Sequence, residues 1–353
     1  MKRVIYVSSK ADTLTEHDLE DISEISRRNN AELGITGLLI SAHRYFFQFL
    51  EGGESAVEQL LKRIQQDPRH NHFLILKVEE NLESRMFPEW SMRIIDLDEM
   101  NNAILDPIRI MLENITQSHR IIERYTQPSI IKFITEGVNP LDIPIRKTEK
   151  IVLFGDMVGF SYLSENFPVE EVAEVVNEFL EVCSQEIVDQ GGEVTKYIGD
   201  CVMAHFTPDQ GDNAIGTCLN LARKLRVIRE SAGRCRLSRF LYCGFGLSMG
   251  MVIQGNIGSS IKLDYTVLGD AVNIAARLES LTRELRRMIA LTAPVKLAAR
   301  KNWFFENVGD FKFKGQEKKM PVYSVLHPDT ADFPDHQQLV MAMRRLRVNN
   351  GSW

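Results

Sequence analysis

The sequence has few cysteines and no long apolar run. Its five cysteines all lie in the second half of the chain and form no C-x-x-C pair, so neither a disulfide framework nor a structural zinc site is expected. No apolar stretch approaches the roughly 20 residues that span a bilayer, and the basic first residues lack the apolar segment of a signal peptide. These absences predict a protein of the reducing cytoplasm that does not enter a membrane.

An excess of basic charge is also missing. The formal net charge is −6, from 42 Lys and Arg against 48 Asp and Glu, which gives no electrostatic basis for binding nucleic acid or an anionic membrane surface. The sequence contains no internal repeat and no low-complexity segment. Its 353 residues, 44% of them hydrophobic, exceed one average domain and predict two domains with sizeable cores.

Residues 1–98 alternate between the hydrophobic patterns of strands and helices. Helices are predicted at 13–28 and 55–66, and strands at 3–9, 34–42, 45–51, 72–79 and 92–97. The first helix would begin at a capping box, in which Thr13 and Glu16 exchange hydrogen bonds with the backbone. This βαββαββ order predicts an α+β domain with both helices on one face of a mixed sheet.

Residues 99–147 lack the hydrophobic patterns of strands and predict a helical linker. In 101–127, apolar or aromatic side chains recur every three or four residues, at Ile104, Ile108, Met111, Leu112, Ile115, His119, Ile122 and Tyr125. Two interpretations have equal weight: the stripe pairs with its twin in a dimer, or it packs on its own domain. The segment 126–144 is interrupted by prolines and predicts a short helix.

Residues 148–326 predict a second domain. Its strands are expected at 151–154, 193–198, 201–206, 240–247 and 251–255, with helices after Pro168 and at 271–281. Asp270 is a candidate cap for the second of these helices. Residues 327–353 form a C-terminal tail with a basic amphipathic piece, and its end is expected to be mobile.

Two aspartates suggest a metal site in the second domain. Asp156 follows a buried strand in the segment 154–161 (FGDMVGFS), and Asp200 lies on a tight turn in 196–200 (KYIGD). If the two strands are neighbours, both carboxylates can share divalent cations, which prefer hard oxygen ligands. Because Gly-Asp pairs are common in turns, Asp200 alone is equally well explained as a turn residue. The segment around Asp156 favours the metal site.

Three basic or amide side chains suggest a nucleotide. Asn273 and Arg277 are four residues apart on one predicted helix and therefore point the same way. An Asn can hold a ribose, and an Arg matches the oxyanion charge that develops on a phosphorus under attack. Lys314 could reach the β- and γ-phosphates. Each residue in isolation is better explained as a helix cap or a solvated charge, so only the set carries the inference.

With these motifs in order, residues 148–326 resemble a class III nucleotidyl cyclase catalytic domain, whose core is ferredoxin-like. The resemblance implies that Asp156 and Asp200 bind two divalent cations, Mg²⁺ or Mn²⁺. It also implies that Asn273 and Arg277 serve the transition state. In this family the metal ligands and the base, ribose and phosphate contacts come from different subunits, so a homodimer is implied.

The same resemblance implies the substrate. Lys196 and Thr266 fall at the two positions that contact the purine, and Lys314 falls at the position that binds the triphosphate. A Lys can donate to adenine N1 whereas a Glu would suit guanine, so ATP is expected rather than GTP. Many members have Asp at the second position, and Thr266 is the variant of a bacterial subset.

A diguanylate cyclase is a weaker alternative on a related fold. The segment 191–194 (GGEV) is similar to the G-G-[DE]-E-F turn of that family. The acidic-Phe continuation is absent, however, and a helix with Asn273 and Arg277 has no place there.

In the first domain, a polar pair lies within apolar strands. Tyr6 lies in the first strand, and Gln48 lies between aromatic residues in the third. Strand alternation places Gln48 on the same face as Phe46 and Leu50, which is the inward face. A buried Gln must find a hydrogen-bonding partner. The mundane explanations are a core Tyr with an exposed hydroxyl and an edge Gln.

As a group, several segments of 1–98 resemble a BLUF domain, a flavin-based blue-light sensor with a ferredoxin-like fold. They are 34–39 (GITGLL), 48–52 (QFLEG), 67–70 (DPRH) and 87–92 (FPEWSM). The resemblance implies a bound flavin, usually FAD with FMN as the alternative, between the two helices.

The BLUF resemblance assigns roles to six residues. Asn30 and Arg69 would contact the polar edge of the flavin ring, and Tyr6 and Gln48 would form the switching pair. Trp90 and Met92 would relay the change to the last strand.

The combination resembles the bacterial photoactivated adenylyl cyclases over nearly the full length. It predicts a blue-light-activated enzyme that converts ATP to 3′,5′-cyclic AMP, with the helix 101–127 carrying the signal. Two rivals remain open: a light-dependent interaction module with an inactive cyclase domain, and a flavin-free cyclase controlled by another ligand.

Overall fold

The computed structural model describes residues 1–11, 16–42, 44–97, 105–136, 138–231, 233–313 and 318–349. It divides into two compact units, Met1–Asp142 and Ile143–Trp353. The predicted capping box at Thr13, the first residues of the linker helix and Lys314 lie outside the described residues. Across the part that is described, no helix has the length and apolar character that crossing a membrane requires.

The first unit is built on a mixed sheet with strand order β4-β1-β3-β2-β5. The neighbours are antiparallel except β2 and β5, which are parallel. The strands are β1 (Lys2–Lys10), β2 (Thr36–Ala42), β3 (Tyr45–Gly52), β4 (His70–Glu79) and β5 (Arg93–Asp96), and the helices are α1 (Glu16–Glu32) and α2 (Glu54–Gln65). The predicted α+β class and βαββαββ order are confirmed.

One face of this sheet forms the main core of the unit. Tyr6, Phe46 and Leu50 are fully buried there, because alternate residues of β1 and β3 point to the same side. They pack in one cluster with Ile22 of α1 and Val57 of α2.

The opposite face is covered by a third helix, α3 (Leu105–Tyr125), which is followed by the short α4 (Pro128–Thr135). Leu112 of α3 packs against a cluster that includes Val7 and Phe47. Arg120 donates to the Ser9 hydroxyl at 2.5 Å. The prediction that both helices of residues 1–98 lie on one face is therefore confirmed, and the linker helix α3 packs on the sheet of its own unit.

The second unit is a larger sheet with strand order β12-β13-β11-β9-β6-β8-β7, to which β10 is attached through β9. Its strands are β6 (Arg146–Met157), β7 (Glu193–Ile198), β8 (Cys201–Phe206), β9 (Cys243–Gly258), β10 (Leu263–Leu268), β11 (Ile289–Thr292), β12 (Phe305–Phe311) and β13 (Met320–Val325). Its helices are α5 (Phe160–Asn166), α6 (Val169–Asp189), α7 (Gly211–Glu230), α8 (Asp270–Leu285), α9 (Ala293–Ala298) and α10 (His336–Asn349).

The two faces of β6 separate two cores. Ile151 and Leu153 point to the core that contains residues of α6 and α7. Val152 and Phe154 point the other way, to a smaller cluster with Ala271 and Ala275 of α8. Asp156 is two residues after Phe154 on the same strand, so its side chain also points towards α8.

Two predictions for the second unit are wrong. The strands expected on either side of residues 248–250 are one strand, β9, because β6 pairs with it without interruption from Arg146 to Met157. The N-cap of α8 is Gly269, and Asp270 is the first residue of the helix without a side-chain cap bond. The amphipathic piece predicted in the tail is the helix α10, whose Leu339 and Met343 are buried in the main core.

Candidate active site

Asp156 and Asp200 come together at one end of the second sheet. Asp156 lies near the end of β6, opposite Gly244 of β9, and Asp200 occupies the two-residue turn between β7 and β8. Gly199 precedes Asp200 with φ +66°, the left-handed conformation that a tight hairpin turn requires of one of its residues. Asp200 is 9% exposed, and its Oδ2 atom has no hydrogen-bond partner in the described structure.

The electrostatics of the pair favour a bound cation. Burial, together with the charge of the neighbouring Asp156 carboxylate, raises the pKa of Asp200 to about 7. Two close carboxylates are costly to ionise together unless a positive charge joins them. The unpartnered, buried oxygen of Asp200 therefore fits a divalent cation.

The space beside the pair fits a metal that keeps non-protein ligands. A cavity of about 530 Å³ is lined by both aspartates, by Gly159, Phe160 and Ser161, and by His336 of α10. The described residues contain no cluster of three or more His, Cys, Asp or Glu side chains that could hold an ion. Mg²⁺ commonly binds through one or two carboxylates and completes its shell with water and substrate phosphates.

A third carboxylate and an arginine, which the sequence analysis did not single out, complete this region. Arg283 Nη2 donates to Asp156 Oδ2 at 2.5 Å, and Nη1 donates to Glu279 Oε1 at 2.8 Å. Burial raises the pKa of Glu279 to about 7, although the charge of Arg283 opposes this shift. The spacing of four residues between Glu279 and Arg283 is the only signal in the sequence that points to this pair.

The predicted purine contacts lie on β7, which pairs with β8, and on β10, which pairs with β9. Lys196 of β7 forms an ion pair with Asp264 of β10, with 3.3 Å between Nζ and Oδ2. Thr266 is two residues further along β10 and therefore faces the same side as Asp264. The Thr266 hydroxyl is buried without a hydrogen-bond partner in the described structure. Asp264 is a further polar residue of this surface, to which the sequence analysis assigned no role.

The two residues predicted to serve the transition state lie before the part of α8 that contacts Asp156. Asn273 is exposed and Arg277 is half-buried on the first half of α8. Arg283, which contacts Asp156, lies further along the same helix. At about 1.5 Å per residue, Asn273 is roughly 15 Å from Arg283 along the helix axis.

In the first unit, Tyr6 and Gln48 face each other in the register of β1 and β3. The Tyr6 hydroxyl donates to Gln48 Oε1, and Gln48 Nε2 approaches the Met92 sulfur at 3.5 Å. Complete burial raises the pKa of Tyr6 well above its usual value, so the phenol is neutral. The prediction that Gln48 points inward and has a partner is confirmed.

The other predicted flavin contacts have partners elsewhere in the unit. Asn30, at the end of α1, is buried and donates to the carbonyl of Ser91 at 3.0 Å. Arg69 is bound to Asp67, with 2.6 Å between Nη2 and Oδ2. Trp90 stacks on Phe87 at 5.1 Å between ring centroids. Met92 is the residue of this segment that Gln48 approaches.

Glu51 is a buried residue of this unit that the sequence analysis did not single out. Its carboxylate accepts the N–H groups of Met86 and Phe87 at 2.9 and 3.0 Å and the Arg3 guanidinium at 2.5 Å. The segment that leads to Trp90 and Met92 is thereby attached to β3, three residues after Gln48.

Comparisons with known proteins match both units. A family model described as sensors of blue light using FAD matches residues 1–93, and one described as the adenylate and guanylate cyclase catalytic domain matches residues 143–327. A solved bacterial light-regulated adenylyl cyclase is 42% identical, covers 99% of both chains and superimposes with a TM-score of 0.89. A second such structure is 41% identical over 98% of this chain and 100% of the other, with the same TM-score.

Curated relatives are longer proteins. Photoactivated adenylate cyclase subunit alpha of Euglena gracilis is 30% identical over 92% of this chain, and the match covers 32% of that protein. Subunit beta of the same organism is 31% identical over 82% of this chain. The chain spans about a third of the length of these relatives. It belongs to the adenylate and guanylate cyclase catalytic domain family, and a BLUF domain precedes its cyclase domain.

Proposed function

We propose that the chain is a blue-light-regulated adenylyl cyclase that converts ATP to 3′,5′-cyclic AMP and pyrophosphate. The observation that carries the proposal is the convergence of Asp156 with Asp200, whose buried Oδ2 lacks a partner in the described structure. The pair would hold two divalent cations, Mg²⁺ or Mn²⁺, which supply charge neutralisation on the triphosphate and activation of the ribose 3′-hydroxyl.

The nucleotide is assigned to the surface of β7, β10 and α8. Lys196 and Thr266 would contact adenine, and the unpartnered Thr266 hydroxyl is available for a ring nitrogen or the amino group. Asn273 would hold the ribose and Arg277 the α-phosphate. Lys314, outside the described residues, is proposed for the triphosphate.

The working form is proposed to be a homodimer. Class III cyclase domains function as dimers, and the distance along α8 between Asn273 and Arg283 supports a site shared between two chains. A second feature supports this assembly: α3 exposes apolar side chains at heptad spacing in the single chain, namely Ile108, Met111, Ile115, Ile122 and Tyr125. The partner's α3 is proposed to cover this stripe.

The first unit is proposed to bind FAD, with FMN as the alternative. Asn30 and Arg69 would hold the flavin, which when bound absorbs blue light and accepts an electron. Tyr6 can give up an electron and a proton, and the Gln48 amide has a donor end and an acceptor end. Rotation of that amide would turn its nitrogen towards Tyr6 and its oxygen towards Met92, whose thioether has no hydrogen to donate, so the bond to Met92 would be lost. Met92 and Trp90 would transmit this change towards α3.

We also propose a cytoplasmic location. The five cysteines, which all lie among the described residues, are free, as expected in a reducing compartment.

The test is cyclic AMP formation from ATP and Mg²⁺ by the yellow purified protein, in darkness and under blue light. We expect activity that rises with light, disappears on chelation of the metal and is absent in Asp200→Asn. GTP as the substrate is the matched control and should give little product.

The alternative outcomes separate the rival functions. Equal activity in light and darkness would leave a cyclase without a light switch. A light-dependent spectral change without product from either nucleotide would favour an interaction module with an inactive cyclase domain. A colourless active protein would favour control by another ligand.

A further inference from the structure

Arg283 connects a candidate metal ligand to a buried carboxylate. Its guanidinium donates to Asp156 Oδ2 at 2.5 Å and to Glu279 Oε1 at 2.8 Å. The side chains of Arg283 and Asp156 are 23% and 24% exposed, whereas that of Glu279 is 6% exposed. Among the described residues, Arg283 is the only cation within ion-pair distance of Glu279.

This arrangement holds Arg283 from two sides. If the guanidinium left Asp156, it would remain next to Glu279, because a buried carboxylate without its partner is costly. One oxygen of Asp156 is thus taken by Arg283. The other stays available for a cation shared with Asp200.

A glycine of β9 leaves room for the ion pair between Glu279 and Arg283. Gly244 of β9 lies opposite Asp156 in the register of β6 and β9. A Cβ atom at Gly244 would lie 2.3 Å from Thr282 Oγ1 and 3.0 Å from Glu279 Oε1. A side chain at this position would therefore displace the Thr282 side chain and crowd the carboxylate that anchors Arg283.

We infer that Arg283, anchored by Glu279, is a positioning residue for Asp156 that increases the affinity of the site for divalent cations. The inference rests on the proposed function, in which Asp156 and Asp200 are the metal ligands. Partners that orient a metal ligand typically change metal affinity or activity by about 10- to 100-fold when they are removed. If Arg283 instead acted as a counter-ion in the position of the metal, its removal would tighten metal binding. The two roles therefore predict opposite signs.

The test measures Mn²⁺ binding by electron paramagnetic resonance of the free ion, on the full-length protein without nucleotide. We expect Arg283→Met to raise the Kd for Mn²⁺ by about 10- to 100-fold. Arg283→Lys keeps the charge but loses the paired donors, and should recover only part of the affinity. Arg287→Met is the matched control, because it breaks an ion pair with Glu306 at 2.8 Å and should leave the Kd unchanged.

An unchanged or lower Kd in Arg283→Met would overturn the inference. Asp156→Ala separates this failure from that of the proposed function: if it binds Mn²⁺ as tightly as the wild type, the metal site itself is wrong. If Arg283→Met does not fold, the double variant with Glu279→Gln, which leaves no orphaned buried charge, takes its place with the same expected rise in Kd.

Discussion

The Tyr6 hydroxyl donates to the Gln48 side-chain oxygen across β1 and β3, in a core where both residues are buried. Each lies directly opposite the other in the strand register. The same Gln48 amide approaches the Met92 sulfur through its nitrogen. One side chain therefore links the first strand to the segment that enters the last strand, and a change in its hydrogen bonds affects both.

Removing the Tyr6 hydroxyl should abolish the light response. Tyr6→Phe keeps the ring against Phe73 but leaves the Gln48 oxygen without a partner, at a cost of about 1–3 kcal/mol in the free energy of unfolding. We expect equal cyclic AMP formation in light and darkness, at the dark rate of the wild type. Urea unfolding measures the stability change.

Tyr45→Phe is the matched control for this variant. Tyr45 lies on the same sheet next to Phe47, in the cluster that faces α3. It should retain the light response. A light response that persists in Tyr6→Phe would contradict the proposed role of the hydroxyl.

Glu51→Gln should weaken the attachment of the segment before Trp90. The carboxylate loses its charge and with it charge-assisted bonds to two backbone N–H groups and to Arg3. The expected loss is about 1.5–3 kcal/mol in the free energy of unfolding at neutral pH. Glu54→Gln is the control, because the Glu54 side chain is 69% exposed and should change stability little.

The stability difference between Glu51→Gln and the wild type should depend on pH. Burial acts to raise the pKa of Glu51, but the N–H groups of Met86 and Phe87 and the Arg3 guanidinium outweigh it and lower the pKa below the usual Glu value. Because the pKa of Glu51 is lower in the folded state, its carboxylate stabilises the protein at pH values above the unfolded pKa of about 4.3. This stabilisation is lost as the pH falls through the folded pKa. Melting temperatures of the two proteins should therefore converge below about pH 4. A difference that persists in acid would contradict this assignment.

The sequence predicts the position of a residue where its immediate neighbours in the chain determine it. Alternation along β3 places Gln48 inward, and Gly199-Asp200 between two strands predicts the hairpin turn. Arg283 is different, because its partner Asp156 is 127 residues away in the chain. Only the pairing of β6 with β9 and the packing of α8 on this sheet bring them together.

Tertiary contacts also explain the incorrect predictions. The Ser248-Met249-Gly250 segment resembles a break between strands, yet β6 pairs with it throughout and keeps it extended. On α3, the buried residues include the polar Thr116 and His119, whereas Ile115 is 47% exposed. A hydrophobicity pattern therefore could not identify which stripe packs on the sheet.

Asp264→Asn should have a modest effect on substrate binding. Its ion pair with Lys196 is partly exposed, with side chains 48% and 31% exposed, and such pairs contribute about 0.2–1 kcal/mol. We expect up to about a fivefold rise in KM for ATP with kcat unchanged, measured under saturating blue light. Lys196→Ala, the comparison variant, should raise KM more. A tenfold fall in kcat for Asp264→Asn would instead place Asp264 in the chemistry.

Met343→Ala should disturb the site from the C-terminal helix. Met343 is fully buried, and its methyl group lies 3.2 Å from where a Cβ would stand on Gly159, a residue of φ +85° that lines the cavity beside Asp156. Deleting this contact should cost about 2–5 kcal/mol in the free energy of unfolding and lower the rate of cyclic AMP formation. Met341→Ala on the same helix is the control, because Met341 is 57% exposed. Truncating a buried methionine destabilises a protein more than truncating an exposed one. Equal stability of the two variants would therefore mean that α10 is not part of the folded core.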